Sequence, residues 1–282
     1  QMALTEKVRL LLGLRYDRFD IDVFDRIEAA DGDGVDGNFE RVDEEVTPRL
    51  GLIYKPAENL SLYASYSETF LPLSGDQFLT LSLDTEGTRP QFFENREVGL
   101  KWDLTPRLAF TSAVFELERE SYTSVDPEDP EQVVLIEGSR TRGLELQLAG
   151  ELTDRWSITT GYSYLDGEVE RADGTGNDGN RTRQTPEHMF SIWNSWRASD
   201  RLRLGLGATY QDSFFVSEDN SVEVPSYVRV DAAAYYRLDA SMRVQLNLEN
   251  LLDEEYFPDA HSNTNISTGR PLNARLSFIV DL

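Results

Sequence analysis

Two histidines, His188 and His261, are the only imidazoles in a chain of 282 residues that has no cysteine. Thiolate metal sites, disulfides and cysteine nucleophiles are therefore excluded. His188 has Ser191 nearby, but a nucleophile and its base must lie within hydrogen-bond reach and be oriented by a third group. Residues three apart on a strand point to opposite faces. The pair does not make a hydrolase, and no catalytic residue is assigned. His261 sits in Asp259-Ala260-His261-Ser262-Asn263, a polar stretch in which solvation is its plain role. The run Asp31-Gly32-Asp33-Gly34-Val35-Asp36-Gly37-Asn38 has carboxylates that could wrap a hard cation. It departs from the EF-hand spacing, and Val42 stands where the bidentate Glu belongs. It reads as a flexible acidic loop, so no metal site is assigned. The glycines of Arg171–Arg181 do not join a strand to a helix, as a phosphate cradle requires, so this segment reads as a mobile loop.

The elements that carry these residues are strands. Apolar and polar residues alternate with period two along the whole chain, as in Trp156–Tyr164, Leu202–Tyr210, Met242–Leu248, Leu144–Leu152 and Leu276–Leu282. Short turns recur with one chemistry: Leu4-Thr5-Glu6-Lys7, Leu104-Thr105-Pro106-Arg107, Leu152-Thr153-Asp154-Arg155 and Ala198-Ser199-Asp200-Arg201. Residues 55–59 and 238–241 fall in the same phase. Longer polar segments near 26–44, 71–91, 122–131, 170–184, 214–226 and 253–270 lie between them. Strict alternation of short and long connections is the pattern of an outer-membrane β-barrel. The expectation is about twelve antiparallel strands, roughly 7–24, 44–54, 60–70, 92–104, 108–122, 132–152, 156–170, 186–198, 201–214, 226–238, 242–251 and 271–282. Trp102, Trp156, Tyr164, Tyr210 and Tyr236 fall near strand ends on the apolar face, where interfacial girdles sit.

Composition agrees. No run of eighteen apolar residues exists, so a helical span is excluded. The mean hydropathy of -0.46 suits a barrel, because only every second strand residue meets lipid. A soluble all-β protein would have shorter strands and no such loop alternation. With 51 acidic and 27 basic residues, the net charge of -24 argues against a nucleic-acid partner.

Several segments carry a family resemblance. Thr185-Pro186-Glu187-His188-Met189-Phe190 with Ile192-Trp193, and Val224-Pro225-Ser226-Tyr227 leading into Val230-Asp231-Ala232, resemble strand openings of TonB-dependent siderophore receptors. Asn247-Leu248-Glu249-Asn250-Leu251-Leu252-Asp253-Glu254-Glu255-Tyr256-Phe257 is similar to a late segment of that family, and Asn265-Ile266, Gly269-Arg270-Pro271 and Arg275–Leu282 to its final strand. Leu12–Asp17 and Ser65–Phe70 are also family-like. The order and spacing of these motifs cover nearly the whole chain, so residues 1–282 read as the carboxyl-terminal portion of such a barrel.

The resemblance implies a barrel of about 22 strands around a plugged lumen in the outer membrane of a Gram-negative bacterium. Its partners would be outer-membrane lipid, an amino-terminal plug domain, and TonB engaged through the amino-terminal region. This sequence shows no plug, no TonB-box segment, no signal peptide at Gln1 and about ten strands fewer, and Gln1-Met2-Ala3 reads as the tail of an earlier strand. A fragment is expected, with a self-contained twelve-stranded channel or adhesin as the alternative. The terminal Asp281-Leu282 departs from the family's usual Phe. No covalent cofactor is implied. The transported ligand would be a ferric siderophore, with a lean toward catecholates from Phe257-Pro258-Asp259-Ala260-His261.

Family pockets use aromatics and arginines. Phe70, Phe78, Phe92, Phe93, Tyr122, Phe214 and Phe215 border the long loops, and a flat-faced ferric catecholate suits stacking and cation contacts. The ligand-touching candidates are Phe78, Tyr122, Phe214, Phe215, Tyr256, Phe257 and His261. Arg140 and Arg142 are expected to face lumen or plug. Arg201, Arg203 and Arg243 should project inward near the short turns, distant from a loop-side pocket. His188 would be a girdle residue.

Overall fold

The computed structural model describes residues 1–23, 39–72, 90–125, 133–171 and 177–280. All of its regular elements are strands. The principal sheet has thirteen among the described residues. In chain order it contains β1 (Met2–Ala3), β2 (Val8–Val23), β3 (Phe39–Ala57), β4 (Leu60–Leu71), β5 (Gln91–Thr105), β6 (Leu108–Val125), β7 (Val133–Thr153), β8 (Trp156–Arg171), β9 (His188–Arg197) and β10 (Leu202–Gln211). Two loop strands follow, β11 (Phe214–Phe215) and β12 (Glu223–Val224). The sheet resumes at β13 (Tyr227–Arg237) and β14 (Met242–Glu249). A second loop hairpin, β15 (Asp259–Ser262) with β16 (Asn265–Ser267), precedes the last strand, β17 (Asn273–Val280).

Every neighbouring pair in the sheet is antiparallel, and each strand between the two edges pairs with the sheet strand before it and the sheet strand after it. The twelve expected strands are all present. The two-residue β1 adds a thirteenth, paired as Met2 with Leu10. The sheet is open: β1 and β17 stand at opposite edges and do not pair, and neither do β2 and β17. A closed barrel of twelve strands is not what this chain forms. Open edges leave backbone donors and acceptors that lipid cannot satisfy.

The sequence repeat at the short turns has a common physical basis. The Thr5 hydroxyl accepts from the amides of Lys7 and Val8 at 3.2 and 3.0 Å. Thr153 does the same for Arg155 and Trp156, and Ser199 for Arg201 and Leu202. Asp239 Oδ1 accepts from the Ser241 and Met242 amides at 2.9 Å each. One short side-chain acceptor thus satisfies the amides that reversal leaves unpaired.

Period two separates the two faces of the sheet. One cross-strand row runs Leu10, Leu52, Ala64, Val98, Val114, Leu144, Tyr164 and His188 over eight strands. Three of its apolar members are exposed, Leu52 with Val98 at 58% and Val114 at 54%, like Leu12, Leu206 and Leu276 on the same face. Such a continuous apolar band is what lipid covers. Trp102, Trp156, Trp196 and Tyr236 ring this face toward the short turns. Toward the loops, His188 lies against Tyr164 at 5.2 Å and its Nδ1 is 3.0 Å from the Tyr162 hydroxyl. The opposite face carries Glu97, Lys101, Glu145, Gln147, Ser163 and Gln245. There, aromatic rings fill the space above glycines: Phe115 over Gly143, and Trp193 over Gly205 and Gly207.

Candidate functional site

At the loop end, three connections interlock into one platform. Phe214, Val216, Val224 and Ala260 form a buried core, with Val222, Phe257 and Ile266 packed against it. Polar contacts stitch the same pieces together. The Gln184 amide donates to Phe215 O at 2.8 Å, and its side chain donates to Ala260 O at 2.6 Å. The Arg181 amide donates to Asn220 Oδ1, and Asn220 Nδ2 returns a bond to Arg181 O. Ser217 Oγ reaches Asn263 Oδ1 at 2.9 Å, while Asn263 Nδ2 donates to Ser221 Oγ. Burial alone would push the Asp219 carboxyl up, but the Ser217 hydroxyl and the Ser221 hydroxyl and amide outweigh it and hold the group below the usual range. Residues 177–184, expected as part of a mobile loop, are therefore docked. The acidic run 31–38 lies outside the described residues.

A hub fixes where the platform meets the sheet. Asn250 is 1% exposed and holds a left-handed φ of 56°, which Asn tolerates better than most residues. Its side chain donates to Glu254 O and Arg270 O and accepts from the Glu254 amide. Its own amide donates to Asp231 Oδ1 at 2.9 Å. Tyr256 packs against Tyr227 with the rings tilted and their centroids 4.7 Å apart, and its hydroxyl accepts from Arg229 Nη1 at 3.2 Å.

Beneath the platform, the inner face of β5, β6 and β7 meets the 182–185 segment around a cavity of about 290 Å3, lined by Phe93, Leu117, Arg119, Thr141, Arg183 and Glu218 among others. Arg119 Nη2 donates to Gln91 Oε1 at 2.7 Å, and its guanidinium stands 5.5 Å over the Phe93 ring. The Arg183 amide donates to Glu218 Oε2 at 3.1 Å. Two cations, an aromatic face, hydroxyls and the buried Glu218 carboxylate thus converge on one inward-facing hollow. That set can hold a flat anion by charge and stacking. No cluster of three metal-ligating side chains occurs among the described residues.

The residues singled out from sequence distribute unevenly around this hollow. Phe214 and Tyr256 are buried, at 2% and 6% exposure: Phe214 packs the platform core together with Phe257, whereas Tyr256 lies against Tyr227 beside the Asn250 hub. Phe215 lies on its surface under the Arg181 guanidinium at 5.9 Å. His261 is exposed on β15. Tyr122 lies on strand β6, as expected of the strand 108–122, and pairs with Ile136. Phe78 lies outside the described residues. Arg140 and Arg142 require a correction: they share a face with Leu144 and Leu146, so they point outward and not into the lumen. Arg142 Nε bonds Glu116 at 2.8 Å and Arg140 bonds Glu170 at 2.7 Å, in a charged belt above the apolar band. Arg119 and Arg183 were not anticipated.

The family model for the TonB-dependent receptor-like β-barrel matches residues 1–251. The chain belongs to that family. TonB-dependent receptor barrels stand in the outer membrane of Gram-negative bacteria, with short turns toward the periplasm and long loops outside. A probable TonB-dependent siderophore receptor, PiuA of Acinetobacter baumannii, is 33% identical over 279 residues, covering 93% of this chain and 37% of the relative. The crystal structure of the siderophore receptor PiuA from A. baumannii superposes with a TM-score of 0.87 at 30% identity, over 98% of this chain and 41% of that one. The catecholate siderophore receptor Fiu of Escherichia coli is 29% identical over 220 residues, 74% of this chain and 29% of the relative. This TonB-dependent barrel segment thus spans about two fifths or less of the length of the relatives it matches.

Proposed function

We propose that this chain is the carboxyl-terminal wall of an outer-membrane receptor that imports ferric siderophores, energised through TonB, with a plug domain in its lumen. The protein does no chemistry on its ligand. The observation that carries this reading is the inward hollow under the docked loops, where Arg119 over Phe93 and the neighbouring Arg183 suit an anionic, flat-faced ferric complex. Phe215 and His261 extend the contact surface on the loop side. Fiu's description as a catecholate receptor supports the catecholate class among such ligands. The open sheet speaks against a self-contained twelve-stranded channel.

The test uses the full-length receptor in iron-starved cells lacking other siderophore receptors. Uptake of radioactive iron is followed with catecholate, hydroxamate and carboxylate complexes. TonB-dependent uptake of at least one, and of the catecholate first, is the expected outcome. No uptake of any complex, with constitutive conductance of the purified protein in planar bilayers, would favour a channel.

A further inference from the structure

The inner face near the periplasmic turns carries five arginines in two cross-strand rows. Arg203 of β10 stands directly opposite Arg197 of β9. Arg243 of β14 stands directly opposite Arg237 of β13, and the Arg237 amide bonds Arg201 O at 2.8 Å, which extends the second row to three. All five line one open hollow of about 870 Å3. Like charges directly opposite each other on neighbouring strands repel. None of the five forms an ion pair with a carboxylate among the described residues. Arg237 Nη2 does bond Asp200, but at its backbone carbonyl, 2.8 Å away. This is unusual in a chain with 51 acidic and 27 basic residues, where most other arginines have a carboxylate in reach.

The geometry constrains what can sit there. The arginines project to the inner face, so membrane lipid does not reach them. Neighbouring strands are ~4.8 Å apart and successive same-face residues ~7 Å apart. A single small anion bridges at most two of these guanidiniums. Neutralising both rows takes several carboxylates carried at fixed spacing on one body, and the planar guanidinium fork is the side chain best matched to carboxylates. The patch lies at the opposite end of the wall from the Arg119 hollow, so it is not part of the ligand site.

We propose that this patch seats an acidic polypeptide stretch of the domain that fills the lumen, binding that domain to the wall at the periplasmic mouth. This rests on the reading of the chain as a receptor wall around an occupied lumen.

The test is made on the intact receptor in outer-membrane vesicles. In R203K and R243K the cation is kept and an amine is supplied that a water-soluble carbodiimide can couple to a touching carboxylate. Folded protein is selected by its heat-modifiable mobility, and linked peptides are identified by mass spectrometry. The expected result is a link from each position to an Asp or Glu outside residues 1–282. Links only to Asp200 or Glu151, or none, would overturn the proposal. A second measurement needs no variant: in the wild-type receptor, phenylglyoxal should label Arg203 and Arg243 several-fold more slowly than Arg155 in its turn, and equal rates would also overturn it. Iron uptake by the same cells separates the two readings. Uptake without the link removes the seat alone. A link without uptake of any ferric complex removes the transport reading and leaves the seat standing.

Discussion

The ring of Tyr256 closes over Gly269 so tightly that a Cβ there would stand 2.3 Å from its Cζ. The Gly269 amide also donates to Tyr256 O at 2.7 Å, so the ring and the two backbones lock one loop onto the sheet. Substituting Gly269→Ala forces the ring away from Tyr227 and Arg229. Overpacking of this kind costs roughly 1–3 kcal/mol. Proteolysis within 253–272 should accelerate in this variant while the strands stay protected. Unchanged cleavage would show that the ring has room to move.

The Asn250 hub makes a sharper prediction. Asn250→Ala removes three side-chain hydrogen bonds at a buried site and leaves a left-handed residue without its local partner. Net losses of about 1 kcal/mol per bond, plus a backbone term of ~1 kcal/mol, predict a loss of roughly 2–5 kcal/mol. Asn250→Gly relieves the backbone term alone, so it should be the less damaging of the two. Urea midpoints of the receptor in detergent micelles measure both. Equal midpoints for wild type and Asn250→Ala would remove the hub.

These two residues mark what was legible in the sequence. Period two exposed the twelve long strands, because each keeps one face toward lipid over at least part of its length. The turn chemistry placed the reversals. Asn250 and Tyr256 stood in a recognised motif, yet their work is closing a loop, which spacing alone does not reveal. The loop hairpins β11–β12 and β15–β16 went unseen because strands of two to four residues show no period. The errors over arginines have another cause. Above the apolar band the outer face becomes charged, with Arg96, Glu116, Glu118 and Arg142 in one network, while Phe115 and Leu117 turn inward. Polarity then no longer marks the lumen. Counting in twos from Leu144 would have put Arg142 outside, and counting in twos from Phe115 would have put Arg119 inside.

That inversion yields a paired prediction on ligand binding. Arg119→Gln should weaken binding of a ferric catecholate by roughly 10- to 100-fold, the scale of one charge-assisted hydrogen bond of 1.5–3 kcal/mol. Arg142→Gln, on the outer face, should leave the affinity unchanged. Fluorescence quenching by the ferric complex reads both. Equal losses in the two variants, or none in Arg119→Gln, would move the ligand away from this hollow.

Acidity tests the platform independently of any ligand. Asp219 is held below the usual carboxylate range because the hydrogen bonds from Ser217 and Ser221 outweigh its burial. A carboxylate with a depressed folded value binds fewer protons folded than unfolded. Its contribution is therefore complete above the ordinary Asp range near ~4 and fades as pH falls through the depressed value. Protection of residues 212–226 from hydrogen exchange should hold from neutrality down to that range and then decline. In Asp219→Asn the acid-dependent part of the decline should disappear, since no proton remains to be taken up there. A decline of the same size and position in both proteins would assign the acid sensitivity to other carboxylates and leave Asp219 without a part in docking the loops.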